Sequence, residues 1–459
     1  MNETSPFLRV IQRREVLLLS FGAMIGWGWV LLTGTWISRA GTLGAITAFA
    51  FAGLEVLLVS LVYAELVTAM PKAGGEHVYT YRALGRKASF ICTWCLIMAY
   101  LTIPTFEAVA LPQALQYLIP NIQQVYLWQF AGGEVYLLPA VIGAAAAVLV
   151  TVINIRGIAL TALVQSVASV VILLIGLSLV MGSFEHGSTA NMQPFFKDGI
   201  GGVFSVLILV PMMFIGFDVI PQSAEEIDLP PAQIGKLLVV SVMMALAWYA
   251  LMILGVGMNL SPEQRAISSM ATADANAAAW GSPLMGKVLV LGGIAGIMTS
   301  WIAFVLGCSR AIYAMAASGM LPAFLAEIHP RYRTPHKAIL AIGILSVIAP
   351  FFGSSLLIWL VNAGGFMFVI TNCLVCWAFL RLRRTEPELE RPFRVKHGKV
   401  VATTALILAL ALLLVFMPGS PGALSWPYEW LMILLWAVLG VVIWFCVARS
   451  GGKQTQQVE

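Results

Sequence analysis

Three carboxylates stand in the middle of long apolar stretches: Glu55, Glu107 and Asp218. An acid at the centre of a membrane helix costs about 2.5–3.5 kcal/mol on insertion scales, so it turns toward the bundle interior and a partner. Asp218, in the run Phe214-Ile215-Gly216-Phe217-Asp218-Val219-Ile220-Pro221, either binds a substrate amine or caps an interrupted helix. Glu107 follows Pro104 and either binds a cationic side chain, carries a proton or is held by a polar neighbour. Glu55 suits a proton carrier or a structural hydrogen-bond partner better than a ligand. The hydroxyls of Thr299 and Ser300 either ligate a sodium ion, together with a carbonyl such as that of Ala23, or bond their own helix. Trp27, Trp29, Phe214, Phe217 and Trp301 offer ring faces on which an ammonium gains roughly 0.5–2 kcal/mol. The pairs Cys92/Cys95 and Cys373/Cys376 lie in apolar helices with no histidine nearby, and all five histidines fall in expected loops. No metal site and no cofactor are expected beyond a coupling proton or sodium ion.

The elements that must position these groups contain two breaks. The first apolar run carries Gly22-Ala23-Met24-Ile25-Gly26-Trp27-Gly28, long enough to cross a bilayer but a poor helix at its centre. Irregular backbone at membrane depth is tolerated only where it faces protein or a watered cavity, and a broken spanning helix points to a substrate site at the midplane. The second break surrounds Gly216, with Pro221 lacking an N–H to continue the ladder. Unwinding near Gly26 exposes N–H groups of Trp27, Gly28 and Trp29, which favour an anion. Unwinding near Gly216 exposes carbonyls around Phe214 and Ile215, which favour a cation. Together they suit a zwitterion. The candidate substrate site is therefore Ala23, Met24, Ile25, Gly26, Trp27 and Gly28, with Glu107, Phe214, Gly216, Phe217, Asp218 and Trp301.

The chain has 459 residues, 60% hydrophobic and 10% charged. Soluble domains carry about 25% charged residues, so this is an all-α integral membrane protein. Twelve spanning helices are expected, numbered here helix 1 to helix 12: 15–39, 42–69, 88–118, 136–155, 158–182, 199–224, 235–259, 284–316, 337–352, 355–381, 400–418 and 427–448. A 14-residue N-terminus (1–14), a first five-helix set (15–182), a second set (199–382), helices 11 and 12 (400–448) and a tail (449–459) follow, the tail disordered over 451–459. Breaks in the first member of each set suggest an inverted internal repeat. The Ala-rich stretch 271–279 is expected as a short surface helix.

The net charge of +5 is not a nucleic-acid signal, because its distribution is topological. Arg9, Arg13, Arg14, Lys72, Arg82, Arg86, Lys87, Arg156, Lys236, Arg310, Arg331, Arg333, Lys337, the cluster Arg381 to Lys399, Arg449 and Lys453 fall on one side, leaving only Arg39, Lys197, Arg265 and Lys287 on the other. The positive-inside rule then puts both termini in the cytoplasm and the protein in the cytoplasmic membrane. Arg381, Arg383, Arg384, Arg391 and Arg394 set topology and meet anionic lipid. Glu65 and Glu225, near the cytoplasmic helix ends, fit gate or cap roles. No obligate protein partner is evident. No G-x-x-x-x-G-K-[ST] loop is present, so direct ATP drive is not supported. An intramembrane enzyme would need a buried base, nucleophile or metal, and no buried histidine is expected to serve. A channel is the less favoured alternative.

These residues resemble the amino acid–polyamine–organocation (APC) superfamily. The similarity rests on Gly22 to Trp29; on Tyr63-Ala64-Glu65-Leu66 with Met70-Pro71-Lys72-Ala73-Gly74-Gly75-Glu76; on Asn154-Ile155-Arg156-Gly157; on Phe214 to Asp218 with Ala224-Glu225-Glu226; and on Ser309-Arg310, Gly319-Met320-Leu321-Pro322 and His329-Pro330-Arg331. The resemblance implies a LeuT-type fold, two inverted five-helix repeats plus two helices, and alternating-access transport of an amino acid or related amine. A polyamine- or ethanolamine-type carrier and an amino acid exchanger are the alternatives. Some proton-coupled members place a lysine in helix 5, but residues 158–180 contain no Lys or Arg. That leaves sodium at Thr299/Ser300, protons through Glu55 or Glu107, or exchange, with protons slightly preferred.

Overall fold

The computed structural model describes residues 6–420 and 422–450, so the expected tail 451–459 lies outside the described residues. Among the described residues ten helices are long and apolar enough to cross a membrane unaided, including helix 2 (Thr42–Ala69), helix 3 (Arg86–Leu118), helix 5 (Ile158–His186), helix 7 (Pro231–Asn259), helix 8 (Pro283–Ala317) and helix 10 (Gly353–Thr385). The interrupted segment 13–40 (helix 1) and the short apolar helix 9 (336–352) complete twelve crossings. This is a multi-pass membrane protein. Every expected helix is present, with ends within four residues. Hydropathy locates them because lipid offers no partner for an unpaired backbone.

Helices 3, 8 and 10 form the buried centre, and helices 11 and 12 have the least buried surfaces. The inner half of helix 1 packs against helices 5, 7 and 8. Helix 8 approaches it closely because small residues line the contact. A Cβ on Gly296 would lie 2.8 Å from the Gly26 carbonyl oxygen, and one on Gly293 would lie 2.4 Å from the Trp27 ring.

Three connections depart from expectation. Residues 119–136 contain a two-stranded antiparallel hairpin, β1 (Tyr126–Phe130) and β2 (Gly133–Tyr136). The helix Ala271–Ala279 forms but is not a surface element. Ala271, Thr272, Ala273, Ala275, Asn276 and Ala279 are buried, and the Thr272 hydroxyl donates to the Trp29 carbonyl at 3.0 Å. Small alanines let it lie against the outer half of helix 1, where the Ala271 methyl meets Gly34. His77 is not in a loop either. It lies in the short helix Glu76–Leu84 and is buried, with ring nitrogens 3.1 Å from Thr93 Oγ1 and 2.9 Å from Ser318 Oγ.

The side that carries most basic residues, called here the basic side, is closed. Backbone N–H groups of Val10 and Ile11 donate to the Glu226 carbonyl at 3.0 Å each, and Asp228 N–H donates to the Ile11 carbonyl at 2.9 Å. Phe7 lies under the Arg310 guanidinium and edge-on to Tyr313. Arg310 meets Glu226 through two hydrogen bonds of 3.0 and 2.7 Å, both side chains only 1% exposed. Two of the loop arginines are also not lipid-facing. Arg383 and Arg391 turn onto Glu65, with nitrogen–oxygen distances of 2.5 and 3.1 Å. Removing one partner of a buried ion pair strands the other charge, at about 3–5 kcal/mol. Arg310→Ala is therefore expected to lower the melting temperature of the purified protein sharply, whereas Arg310→Ala with Glu226→Gln recovers part of the loss.

Candidate functional site

Helix 1 runs over Arg13–Met24, stops at Ile25 (ψ 69°), and restarts at Gly28–Leu31. Helix 6 runs over Gly199–Leu207, tightens into a 3-10 stretch at Val210–Phe214, turns extended at Ile215 (ψ 130°) and resumes over Val219–Gln222. Both breaks fall where the glycines placed them, and they touch. A Cβ on Gly216 would sit 2.9 Å from both the carbonyl carbon and the Cβ of Ala23. Gly216 also has φ 124°, outside the range of L side chains, so the backbone turn and the close approach need the same residue.

One side chain bridges the breaks. The hydroxyl of Tyr249, in helix 7, lies 2.9 Å from the Met24 carbonyl and 3.2 Å from the Met213 carbonyl. These are carbonyls that the interrupted ladders leave open. Sequence reasoning missed Tyr249, since a tyrosine in a spanning helix carries no spacing signal. Tyr249→Phe leaves buried carbonyls short of a donor, a cost of about 1–3 kcal/mol. The expected result is a lower melting temperature in detergent with the helix content by circular dichroism unchanged.

Glu107 and Ser300 meet at the helix 1 break. The Ser300 hydroxyl donates to Glu107 Oε1, and a Cβ on Gly26 would lie 3.0 Å from that oxygen and 3.1 Å from Ser300 Oγ. Glu107 Oε2 is buried without a hydrogen-bond partner. Asp218 is fully buried and committed. Its Oδ1 accepts from Gly216 N–H at 2.9 Å and its Oδ2 from Tyr100 hydroxyl at 2.5 Å. The side chain makes no capping bond to the half-helix Val219–Gln222 and braces the Gly216 turn instead.

The remaining candidates scatter around this centre. Phe214 packs with Tyr249 and Phe49 on the helix 7 side, whereas Phe217 turns away to Tyr63 and Phe368. Trp27 is buried against Gly293 with its indole N–H unpartnered, Trp29 packs on Trp248, and Trp301 is fully buried. Glu55 lines a small cavity with Met212, Phe217 and Asn372, behind the helix 6 break. The three residues named for a sodium ion, Ala23, Thr299 and Ser300, stand on the packed helices 1 and 8. Ala23 faces Gly216, Thr299 donates to the Gly296 carbonyl at 2.9 Å, and Ser300 serves Glu107. Two polar residues of helix 5 were overlooked. Gln165 and Ser169 donate to the Leu19 and Leu18 carbonyls at 3.3 and 3.0 Å, and both crowd Gly22. They hold helix 1 without a charge.

The family model described as amino acid permease matches residues 11–444. The chain belongs to this family, within the APC superfamily. It is thus a member of a transporter family, not an enzyme. A branched-chain amino acid permease of Bacillus subtilis is 27% identical over 96% of this chain and 93% of its own length. A methylthioribose transporter of the same organism is 26% identical over 98% and 95%. A vacuolar cationic amino acid transporter of Arabidopsis thaliana is 29% identical over 76% of this chain and 59% of its own length. This family member carries both interruptions inside the matched region.

Proposed function

We propose that this protein is a secondary transporter that moves a zwitterionic amino acid into the cell across the cytoplasmic membrane by alternating access, driven by protons. The observation that carries the reading is the contact of two broken helices at Gly216 and Ala23, bridged by Tyr249. A half-helix N-terminus beginning at Gly28 attracts a carboxylate, and the unwound carbonyls near Phe214 and Ile215 attract an ammonium. Because Asp218 is already bonded on both oxygens, the amine is bound by backbone rather than by that side chain. Glu107, whose Oε1 stands beside Gly26 and whose Oε2 is unpartnered, is the proton carrier. The basic side is cytoplasmic, as the positive-inside rule requires.

The names of the relatives support the amino acid, and one of them supports a second reading. The methylthioribose transporter is similar over as much of the chain as the permease, so a neutral sugar thioether is the competing substrate. A thermal-shift screen of purified protein decides between them, followed by uptake into proteoliposomes with leucine, arginine, spermidine and methylthioribose as competitors. Amino acids should stabilise the protein and block uptake. Stabilisation by spermidine or methylthioribose alone would remove the zwitterion assignment, and flux that neither saturates nor shows counterflow would remove the carrier.

A further inference from the structure

The connection Met70 to Glu76 is the most specific motif in the chain, and the site described above does not use it. Its geometry is unusual. Gly74 and Gly75 both have positive φ, 93° and 35°, and they thread the chain between two helices. A Cβ on Gly74 would lie 2.3 Å from the Ala314 methyl of helix 8, and one on Gly75 would lie 2.9 Å from Pro221 of helix 6. The chain thereby drives Glu76 into the protein, where it is 0% exposed directly beside the second half of helix 6.

There Glu76 Oε2 accepts a hydrogen bond from the amide Nε2 of Gln222, and Gly74 N–H donates to the Gln222 carbonyl at 3.3 Å. Three atoms around this contact are buried without partners: Glu76 Oε1, Gln222 Oε1 and the Tyr79 hydroxyl. Two of them are acceptors, and two acceptors pair only when one gains a proton. A carboxylic acid facing a primary amide satisfies both in one step, through N–H to oxygen on one edge and O–H to oxygen on the other.

Among the described residues no lysine or arginine forms an ion pair with Glu76. From its own helix it meets His77, which burial pushes down to about 4 and so keeps neutral, and Tyr79. Tyr63 faces it from helix 2, its hydroxyl within reach of both Glu76 and Asn372 Oδ1, the latter at 3.1 Å; Cys92 and Tyr100 face it from helix 3, and Asp218 from helix 6. Three arginines on or near the packed elements are paired elsewhere, Arg82 with Glu386, Arg310 with Glu226 and Arg383 with Glu65. Burial, reinforced by the Asp218 charge and only partly opposed by hydrogen bonds from Gln222 and Tyr63, pushes the Glu76 carboxyl well above the usual carboxylate range.

We infer that Glu76 is a proton-binding site that latches the cytoplasmic half of helix 6: protonated, it closes a two-point pair with Gln222, and on losing the proton to cytoplasmic water it lets that half-helix leave. The proton moves between the Glu76 carboxyl and bulk water, and no other bond changes. Because the closed form binds the proton more tightly than the open form, closure is favoured at low pH and lost as pH rises through the closed-state pKa. This rests on the cytoplasmic assignment of the basic side, but its tests need no substrate and so fail separately from the transport reading.

Infrared spectroscopy of the full-length protein in nanodiscs at neutral pH should show a protonated carboxyl band that Glu76→Gln removes. Glutamine keeps both edges of the pair but cannot titrate. In hydrogen–deuterium exchange, residues 219–227 of the wild type should open as pH rises beyond the intrinsic chemical dependence, while Glu76→Gln stays protected. Gln222→Ala, which removes the donor to Oε2 along with the acceptor, should shift the titration of the same band. The latch is overturned if the band survives in Glu76→Gln, if wild type and Glu76→Gln exchange with the same pH dependence, or if the band titrates unchanged in Gln222→Ala.

Discussion

Gly216→Ala is expected to abolish transport and to destabilise the protein by about 2–6 kcal/mol, the sum of backbone strain and overpacking. The strain arises because φ 124° lies outside the range an L residue adopts, and the overpacking because the new methyl would fall 2.9 Å from the Ala23 carbonyl carbon and 2.9 Å from its Cβ. Neither partner has room to retreat. Ala23 ends a half-helix packed on helices 5, 7 and 8, and the Gly216 N–H is held by Asp218. The alternative to strain is separation of the two breaks, which would also pull the Met24 and Met213 carbonyls away from the Tyr249 hydroxyl. Melting temperature in detergent and amino acid uptake in proteoliposomes report the two effects. Gly201→Ala is the control. It lies in the first part of helix 6 with open space around a new Cβ, so it should be neutral or gain up to about 1 kcal/mol from helix propensity. Wild-type uptake by Gly216→Ala would show that the contact between the breaks is dispensable.

The spans and the breaks were legible in the sequence for the same reason. Lipid forces each crossing to satisfy its own backbone, so apolar length locates a helix and a glycine cluster inside it locates a failure. The acids were legible as anomalies but not in their partners. Glu107 finds Ser300 across 193 residues of sequence, and Glu65 finds Arg383 across 318. Such pairings are set by tertiary packing, and hydropathy carries no record of them. The same holds for Ala271–Ala279, whose composition reads as a polar-loop helix until its small side chains are seen against helix 1. Gln165 and Tyr249 escaped notice because amides and phenols in membrane helices are common, and only their position over an open carbonyl gives them meaning. The reading of Met70 to Glu76 as a family motif said nothing of what Glu76 touches, since its partner Gln222 lies beyond Pro221, in the half-helix that follows the second break.

Glu107→Gln is expected to uncouple the carrier rather than stop it. The amide oxygen of glutamine can still accept the Ser300 hydroxyl beside Gly26, so the packing of the first break survives. What is lost is the ability of the free edge, Oε2 in the native residue, to exchange a proton. With one proton moved per substrate, a gradient of one pH unit supports about tenfold accumulation. In Glu107→Gln that ratio should fall to unity, while exchange of labelled for unlabelled amino acid across the same liposomes continues. Glu107→Ala is a harsher change, because it leaves Ser300 without its carboxylate acceptor and opens space at the break, so both modes should weaken. Glu55→Gln supplies the contrast, since Glu55 lines a cavity built mainly from helices 2, 6 and 10 with no helix 1 residue in its wall. If Glu55→Gln abolishes gradient-driven accumulation and Glu107→Gln does not, the proton travels behind the second break, and Glu107 serves only to hold Ser300 against Gly26.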